Sequence, residues 1–397
     1  MINFNFKEIF DFQKYGDKLL FALAFAALAG GLLHFWPNKE QEERPESTVV
    51  FTQWWQNELD DNLMEDLISK FESLHSGINI VLDSRSYDNI WQYFFGSDPE
   101  TAQIQGDVYA LDPLWIPELL RRETIENPTP ALISFINVLY YNIDILTEAG
   151  FSRPPRNRSE FTAYSHAVAG MGIKGLAMEI NAARGIYDDI FPWIRSAGAV
   201  LISNRAPTVS TAPIINSISF LAALNSEDLI LHSGTTGKVQ NFIEGRTAFM
   251  VAPAMMINLV REQMGDDSFS ITSIPVPDNY AGRTLFSSLE WALALGSESA
   301  YKAEAQLFIN FLLENAPLFQ EATGVIPSSK IPANDPFFSK VWEIELAGEN
   351  AYDFFGMPWV AMDGIFREEL DTLFRGESTP AEIAASIQRR WGAILHE

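Results

Sequence analysis

The stretch Leu139-Tyr-Tyr-Asn-Ile-Asp144, followed by Gly150 and Pro154-Pro155, decides the fold of this chain. Its apolar first half predicts a buried strand, and Asp144 marks the start of a helix. The two prolines predict a stiff loop that leads into a second helix near Ser159. The middle of the chain therefore runs in the order strand, helix, proline loop, helix.

The residues before this stretch alternate between strand and helix patterns. Residues 48–52, 78–82 and 106–111 have the apolar composition of strands, and residues 63–74 and 90–95 have helical spacing. Such alternation predicts an α/β fold with a parallel sheet and right-handed crossovers. Ligands of these sheets bind beyond the carboxyl ends of the strands.

Composition limits the classes of function. With 397 residues and 47% hydrophobic content, the chain can bury a full core, and its length favours two domains. A net charge of −25 disfavours partners that are polyanions, so we expect no binding to nucleic acid. The sequence has no cysteine, which excludes disulfides and a lipid-modified N-terminal cysteine.

One long apolar run lies near the N-terminus. Residues 19–36 contain His34 as the sole interruption, and a helix of this length would reach about 27 Å, close to a hydrocarbon core. We predict a transmembrane anchor, with residues 1–18 cytoplasmic and an acidic linker at 37–47 leading to an extracytoplasmic soluble part. Cleavage of the run as a signal peptide near Ala29 is the alternative, and it would leave a secreted protein.

Four later segments, together with the opening stretch, carry a family resemblance. Residues 241–250, 286–295, 324–330 and 380–391 resemble, in order and spacing, the extracellular solute-binding proteins of family 1, which are maltose-binding-protein-like components of sugar ABC transporters. The resemblance covers roughly residues 48–395. It implies a two-lobed periplasmic-binding-protein fold, type II-like, behind the N-terminal membrane helix.

The resemblance also implies where the lobes meet. Crossing strands would fall near residues 135–141, 285–291 and 326–330. Lobe 1 would comprise residues 48–138 plus 288–327, and lobe 2 residues 139–287 plus 328–397. A solute would bind in the cleft between the lobes, which would close on it by a hinge motion.

By this resemblance the protein is the substrate-binding component of an ABC importer that captures a sugar or oligosaccharide. Its partners would be the solute and the permease subunits, and it would act as a monomer without cofactor or metal. Two alternatives stay open, namely a membrane-anchored extracytoplasmic ligand sensor and a glycoside-acting enzyme. The enzyme is the weaker alternative, since the five histidines lie far apart in sequence and no nucleophile-elbow or phosphate-loop motif occurs.

Aromatic and polar side chains cluster after three predicted strands. Trp54-Trp55-Gln56 follows the first, Tyr87 the second, and Asp112 with Trp115 the third. Aromatic rings offer a flat face to a sugar, and polar groups bond its hydroxyls. Packing beneath loops is the alternative for any one of these rings. With the residues that the resemblance adds, the candidate ligand-binding set is Trp54, Trp55, Gln56, Tyr87, Asp112, Arg184, Tyr187, Met255, Glu290, Trp291, Trp359 and Asp363.

Several of these residues have a second interpretation. An ion pair, at the surface or between the lobes, is an equally good interpretation of Arg184, Glu290 and Asp363. Packing in the core is the other interpretation of Met255. Arg184 and Arg85 could instead hold a phosphate or carboxylate of a ligand. The pair Asp188-Asp189 is interpreted as helix N-terminal charge or a solvated face. We also expect Trp54→Ala or Trp359→Ala to weaken sugar binding with little change in melting temperature.

Overall fold

The computed structural model of the protein describes residues 47–55, 59, 62–96, 106–234, 237–323, 335–351, 353, 354 and 356–396. The predicted membrane anchor at 19–36 lies outside these residues, as do Gln56 and the predicted crossing at 326–330. Within the part of the chain that is described, no helix is long and apolar enough to cross a membrane.

The strands follow the predicted alternation and extend it to the C-terminal half. They are β1 (Ser47–Gln53), β2 (Ile78–Ser84), β3 (Val108–Leu111), β4 (Ile125–Glu126), β5 (Ile133–Asn142), β6 (Lys174–Met178), β7 (Ile202–Ser203), β8 (Ala206–Pro207), β9 (Ile230–His232), β10 (Thr247–Pro253), β11 (Phe269–Thr272), β12 (Thr284–Phe286), β13 (Ser288–Gly296) and β14 (Gly348–Asn350).

The helices lie between these strands and at the C-terminal end. They are α1 (Leu63–Leu74), α2 (Tyr87–Phe95), α3 (Ile116–Arg121), α4 (Ile143–Glu148), α5 (Arg158–Ala169), a π-helix (Ile186–Ile190), α6 (Phe191–Ser196), α7 (Ala212–Ser226), α8 (Lys238–Ile243), α9 (Met256–Met264), α10 (Lys302–Glu314), α11 (Ala316–Ala322), α12 (Pro336–Ala347), α13 (Trp359–Phe374) and α14 (Pro380–His396).

The main sheet has the strand order β2-β1-β3-β13-β5-β10-β6-β9, with β4 added on β13 and β11 on β5. The pairs β1–β3, β10–β6 and β6–β9 are parallel, whereas β5 and β13 run antiparallel to their neighbours. The parallel pairs agree with the alternation of strands and helices in the sequence. Two separate strand pairs, β12–β14 and β7–β8, complete the described sheets.

Strands β5 and β13 lie in the middle of this sheet and link its two halves. Residues 133–136 of β5 pair with 288–291 of β13, and residues 137–141 of β5 pair with β10. The rest of β13, residues 292–295, pairs with β3. These two strands therefore join a first sheet region, made of β1 to β4, to a second region made of β6, β9, β10 and β11. The exact boundaries of the two lobes stay a prediction.

The end of β5 is built as the opening stretch predicts. Strand β5 leads directly into α4, which begins at Ile143, one residue before the predicted start. The Asn142 side chain accepts a hydrogen bond from the Ile145 N–H at 2.9 Å and so caps the helix. Further along, Gly245 has a φ of +71° between α8 and β10, in the left-handed region that favours glycine.

The cap at Asn142 gives a direct test of this junction. Asn142→Ala removes the acceptor of the Ile145 N–H, and we expect a loss of about 1 kcal/mol in the free energy of unfolding. Asn142→Ser keeps an oxygen that can cap the helix and should retain most of the stability. Urea unfolding of both variants measures this difference. An equal loss in the two would show that Asn142 stabilises by packing rather than by capping.

Candidate functional site

A cleft of about 240 Å³ lies where the carboxyl ends of strands from both sheet regions meet. The first region contributes Trp54 after β1 and Tyr87 at the start of α2. The second contributes Glu179 directly after β6 and Met255 after β10. Ligands of open α/β sheets bind beyond the carboxyl ends of the strands. The geometry therefore makes this cleft the candidate binding site.

Arg184 lies at the centre of the cleft wall and joins the two regions. Its guanidinium donates to the Asp112 carboxylate at the end of β3, to both Asp188 oxygens at 3.3 Å, and to the Ser288 carbonyl at 3.0 Å. The side chain is 7% exposed and lies over the Tyr187 ring. Burial works to lower the pKa of Arg184, but Asp112 and Asp188 together raise it well above its ordinary value.

Asp112 gathers further partners from the first region. It accepts a hydrogen bond from the Tyr87 hydroxyl at 2.8 Å and another from the Leu114 N–H at 2.9 Å. Burial, and then the Asp112 carboxylate, raises the pKa of Tyr87 well above its ordinary value. Tyr87 therefore stays a neutral hydroxyl that donates to Asp112, and it helps hold that carboxylate in the ion pair with Arg184.

A second buried ion pair, between Lys238 and Asp189, lies at the cleft. Lys238 Nζ lies 2.6 Å from Asp189 Oδ1, and Asp189 Oδ2 accepts a hydrogen bond from the Glu179 N–H at 2.6 Å. Burial raises the pKa of Asp189, and Lys238 opposes that effect. The interpretation of Asp188-Asp189 as a solvated face is wrong, whereas their place in the first turn of the π-helix agrees with the helix N-terminal interpretation. Both side chains lie buried in the π-helix, because each has a cation or amide partner there.

A smaller side cavity of about 30 Å³ adjoins the Arg184–Asp112 pair, with room for a water molecule. Asp112, Tyr187 and Glu290 line it. Among the described residues, the partners of the Glu290 carboxylate make long hydrogen bonds to it, from Ser134 at 3.5 Å and from Ser288 at 3.4 Å. Burial, followed by repulsion from Asp112, raises the pKa of Glu290.

The structure brings seven of the predicted site residues to these two cavities. Trp54, Tyr87, Arg184 and Met255 line the cleft, and Asp112, Tyr187 and Glu290 line the side cavity. For Arg184 the interpretation as an ion pair between the two regions agrees with its contacts. Contact of these residues with a ligand stays a prediction.

Four other predicted residues line neither cavity. Trp55 and Trp291 stack on each other in the core, with ring centroids 4.6 Å apart. Trp359 packs behind Tyr187, at 5.6 Å between centroids. Asp363 binds Arg367 at 2.8 Å, and Arg367 in turn donates to the carbonyls of Ile180 and Ala182. Asp363 thus helps position the loop that carries Arg184.

Burial also changes the expected effect of two substitutions. Trp54 and Trp359 are each 2% exposed and pack among other aromatic rings. Replacing a buried tryptophan with alanine removes this packing and leaves a cavity, which costs about 3–5 kcal/mol. We therefore expect the alanine variants to have lower melting temperatures, contrary to the expectation made from the sequence. Affinity must be compared against a destabilised control.

Sequence reasoning did not select four charged residues of this site. Asp88, Glu179, Asp188 and Lys238 all line the cleft. Glu179 follows a buried strand, which is the same signal that selected Asp112, so its position could have been found. No pattern in the sequence marks Lys238 as a site residue, because its partner Asp189 is 49 positions away in the chain.

The fold and the cleft together define a class of protein. Two α/β sheet regions joined by crossing strands, with a polar and aromatic cleft at the strand ends, form the two-lobed fold of periplasmic solute-binding proteins. Residues 52–317 match the family model described as bacterial extracellular solute-binding protein. The chain belongs to this family, which confirms the resemblance seen in the sequence. No curated protein matches the chain.

Solved structures show the same fold at low sequence identity. The GacH receptor of Streptomyces glaucescens, solved unliganded and with acarbose, has 16% identity and a TM-score of 0.69, covering 89% of this chain and 100% of its own. An ABC transporter solute-binding protein from Thermotoga lettingae, bound with α-D-tagatose, has 15% identity and a TM-score of 0.72, covering 88% and 100%. The sugar-binding protein MalE of Xanthomonas citri has 16% identity and a TM-score of 0.63, covering 88% and 98%.

Proposed function

We propose that this protein is the substrate-binding component of an ABC importer and that it captures a small carbohydrate in the cleft. The observation that carries the proposal is the cleft itself, which places the Trp54 and Tyr87 rings beside polar groups from both sheet regions. Aromatic faces next to hydrogen-bonding groups suit a sugar ring and its hydroxyls. The acarbose and tagatose complexes of similar proteins support a carbohydrate ligand.

The size of the cleft favours a short ligand. Its volume of about 240 Å³ is below the roughly 300–1,000 Å³ of pockets that hold drug-sized ligands. A monosaccharide-sized solute fits this arrangement better than a long oligosaccharide. The tagatose complex of the Thermotoga lettingae protein is a precedent of that size.

Capture would proceed by closure of the two regions about β5 and β13. Arg184 binds Asp112, and the Ala183 N–H donates to Asp88 at 3.1 Å, so both contacts bridge the regions at the cleft. A solute that contacts both walls would favour the closed form through its higher affinity for it. The closed form would then dock on the permease subunits. Residues 19–36 would tether this monomer outside the cytoplasmic membrane.

A binding role is proposed rather than catalysis. Asp112 and Asp188, the carboxylates at the centre of the site, are both held by Arg184. Both carboxylates are therefore already bonded to a cation, which leaves neither of them free to act as the general acid or the nucleophile of a glycosidase. The alternative of a ligand sensor uses the same cleft and differs only in its membrane partner. Turnover of chromogenic glycosides by the purified chain would favour the enzyme.

The proposal is tested by a ligand screen on the full-length chain. Thermal shift against monosaccharides, disaccharides, polyols and peptides should identify a carbohydrate that stabilises the protein. A ligand present at 100 times its Kd adds about 2.7 kcal/mol to the free energy of unfolding, which is readily measured. Stabilisation by peptides and by no carbohydrate would contradict the proposal.

A pair of tryptophan variants separates ligand contact from packing. Trp54→Leu should weaken carbohydrate binding by about tenfold or more, because it removes an aromatic ring from the lining of the cleft. Trp193 is also fully buried, but it packs on Phe161 and Phe220 in the second region. Trp193→Leu should therefore destabilise the chain with less than about a threefold change in Kd. Titration calorimetry that gives equal Kd changes in the two variants would remove Trp54 from the site.

A further inference from the structure

The cleft carries more negative than positive charge. The charged side chains of its lining, together with the groups that form ion pairs with them, comprise five carboxylates and two cations among the described residues. The carboxylates are Asp88, Asp112, Glu179, Asp188 and Asp189, and the cations are Arg184 and Lys238. A sixth carboxylate, Glu290, faces the adjoining side cavity. In a partly buried site, an excess of this kind attracts cations and repels anions.

Both cations are already engaged by the protein. Arg184 uses four of its N–H bonds on Asp112, Asp188 and the Ser288 carbonyl. Lys238 Nζ is 2.6 Å from Asp189, which is buried. A phosphate or carboxylate of a ligand would have to share these cations with buried protein carboxylates that already pair with them, which weakens its binding. Arg85, the other candidate for holding an anion, is bonded to Asp83 at 2.8 Å.

Two of the carboxylates in the cleft form no ion pair in the part of the chain that is described, although Glu179 lies near enough to Lys238 to help raise the pKa of that lysine. Asp88 accepts a hydrogen bond from the Ala183 N–H at 3.1 Å, and Glu179 accepts one from the Lys238 N–H at 3.2 Å. Both bonds come from neutral backbone groups. These carboxylates therefore keep lone pairs for a donor placed in the cleft.

The aromatic rings of the same cleft favour the same charge. Trp54 and Tyr87 both line it, and their rings meet edge to face with centroids 5.1 Å apart. The face of an aromatic ring attracts a cation, and tryptophan does so most strongly. Aromatic rings and carboxylates that line one cleft are a combination that binds an ammonium group well.

We infer that the cleft selects a small ligand that carries a protonated amine, such as an amino sugar or an amine-bearing polyol, and that it excludes sugar phosphates and sugar acids. This inference rests on the proposed function, since it assigns the charge of the ligand that the same cleft takes. Asp88 and Glu179 would bind the ammonium group, and the two rings would flank it.

Matched sugars test the charge preference. Titration calorimetry on the full-length chain would use glucose, galactose and mannose, each with its 2-amino-2-deoxy form and its uronic acid. In any series that binds, we expect the amino form to bind at least about tenfold more tightly than the neutral parent, and the acid at least about tenfold more weakly. An acid that binds as tightly as its parent, or an amine that binds no more tightly, overturns the inference.

Two variants assign the preference to named carboxylates. Asp88→Asn and Glu179→Gln keep an oxygen that accepts the backbone N–H but remove the negative charge. The double variant should bind the amine and its neutral parent within about twofold of each other. Glu148→Gln, on the exposed surface of α4, removes a charge far from the cleft lining and should keep the full preference. An unchanged preference in the double variant would overturn the assignment.

The outcomes separate this inference from the proposed function. If neutral sugars bind and their amino forms bind no better, the inference fails and the carbohydrate-binding role stands. If the wider screen finds a ligand and it is an acid or a phosphate, the inference also fails. If no carbohydrate of any charge binds, both proposals fail.

Discussion

Arg184→Ala is expected to lower the free energy of unfolding by about 3–5 kcal/mol. The substitution leaves Asp112 and Asp188 without the cation that they share, and their side chains are only 2% and 11% exposed. A buried carboxylate that loses its partner keeps the cost of removal from water without the compensating attraction. Urea unfolding monitored by tryptophan fluorescence measures the loss. Carbohydrate affinity should fall as well, because Arg184 joins the two walls of the cleft.

A matched arginine on the surface provides the control. Arg375 pairs with Asp371 at 2.7 Å, with the two side chains 53% and 61% exposed. Arg375→Ala should cost no more than about 1 kcal/mol, because water already solvates both groups. A loss below about 1 kcal/mol for Arg184→Ala would contradict the picture of a buried cluster. It would mean that the two regions separate enough for water to reach Asp112 and Asp188.

Asp353→Ala is expected to have an effect of similar size, although it lies away from the cleft. Asp353 binds both terminal nitrogens of Arg195, at 3.0 and 2.5 Å, and accepts the N–H groups of Leu201 and Ile202. The Arg195 side chain is 0% exposed. Its guanidinium would be left buried without a counter-ion, so we expect a loss of about 3–5 kcal/mol in the free energy of unfolding. The loss is measured by urea unfolding.

Two further variants make this second prediction specific. Asp371→Ala removes the same side chain from an exposed pair and should cost no more than about 1 kcal/mol. The double variant Arg195→Met, Asp353→Leu replaces the buried pair with apolar groups and should recover much of the stability lost in Asp353→Ala. If the double variant is as unstable as Asp353→Ala, the cost arises from the unsatisfied backbone N–H groups instead.

The fold was predictable from the sequence because its signals are local. Strand and helix periodicity gave the order of elements through the first region, and the opening stretch gave the strand β5 and the helix α4, although the structure places the N-cap at Asn142, two residues before the predicted start at Asp144. The crossing roles of β5 and β13 came from the family resemblance, since strand pairing between residues 133–136 and 288–291 leaves no local pattern.

The site was only partly predictable. The rule that ligands bind at strand ends selected Trp54, Tyr87 and Asp112, and all three line one of the two cavities. The same rule selected Trp55, which stacks on Trp291 in the core. Neighbouring tryptophans carry identical chemical signals, and the direction of each ring depends on packing against residues that are distant in sequence.

The sequence by itself determined the class of the protein, because the order and spacing of motifs along the chain carry the family resemblance, and hydrophobic periodicity and turn residues predict the α/β elements. Only the tertiary structure decided which charges meet. Arg184 and Asp112 are 72 positions apart, and Lys238 and Asp189 are 49 apart. Whether a charged side chain faces solvent, a ligand or a buried counter-ion depends on desolvation and on geometry in three dimensions, and neither is encoded in local spacing.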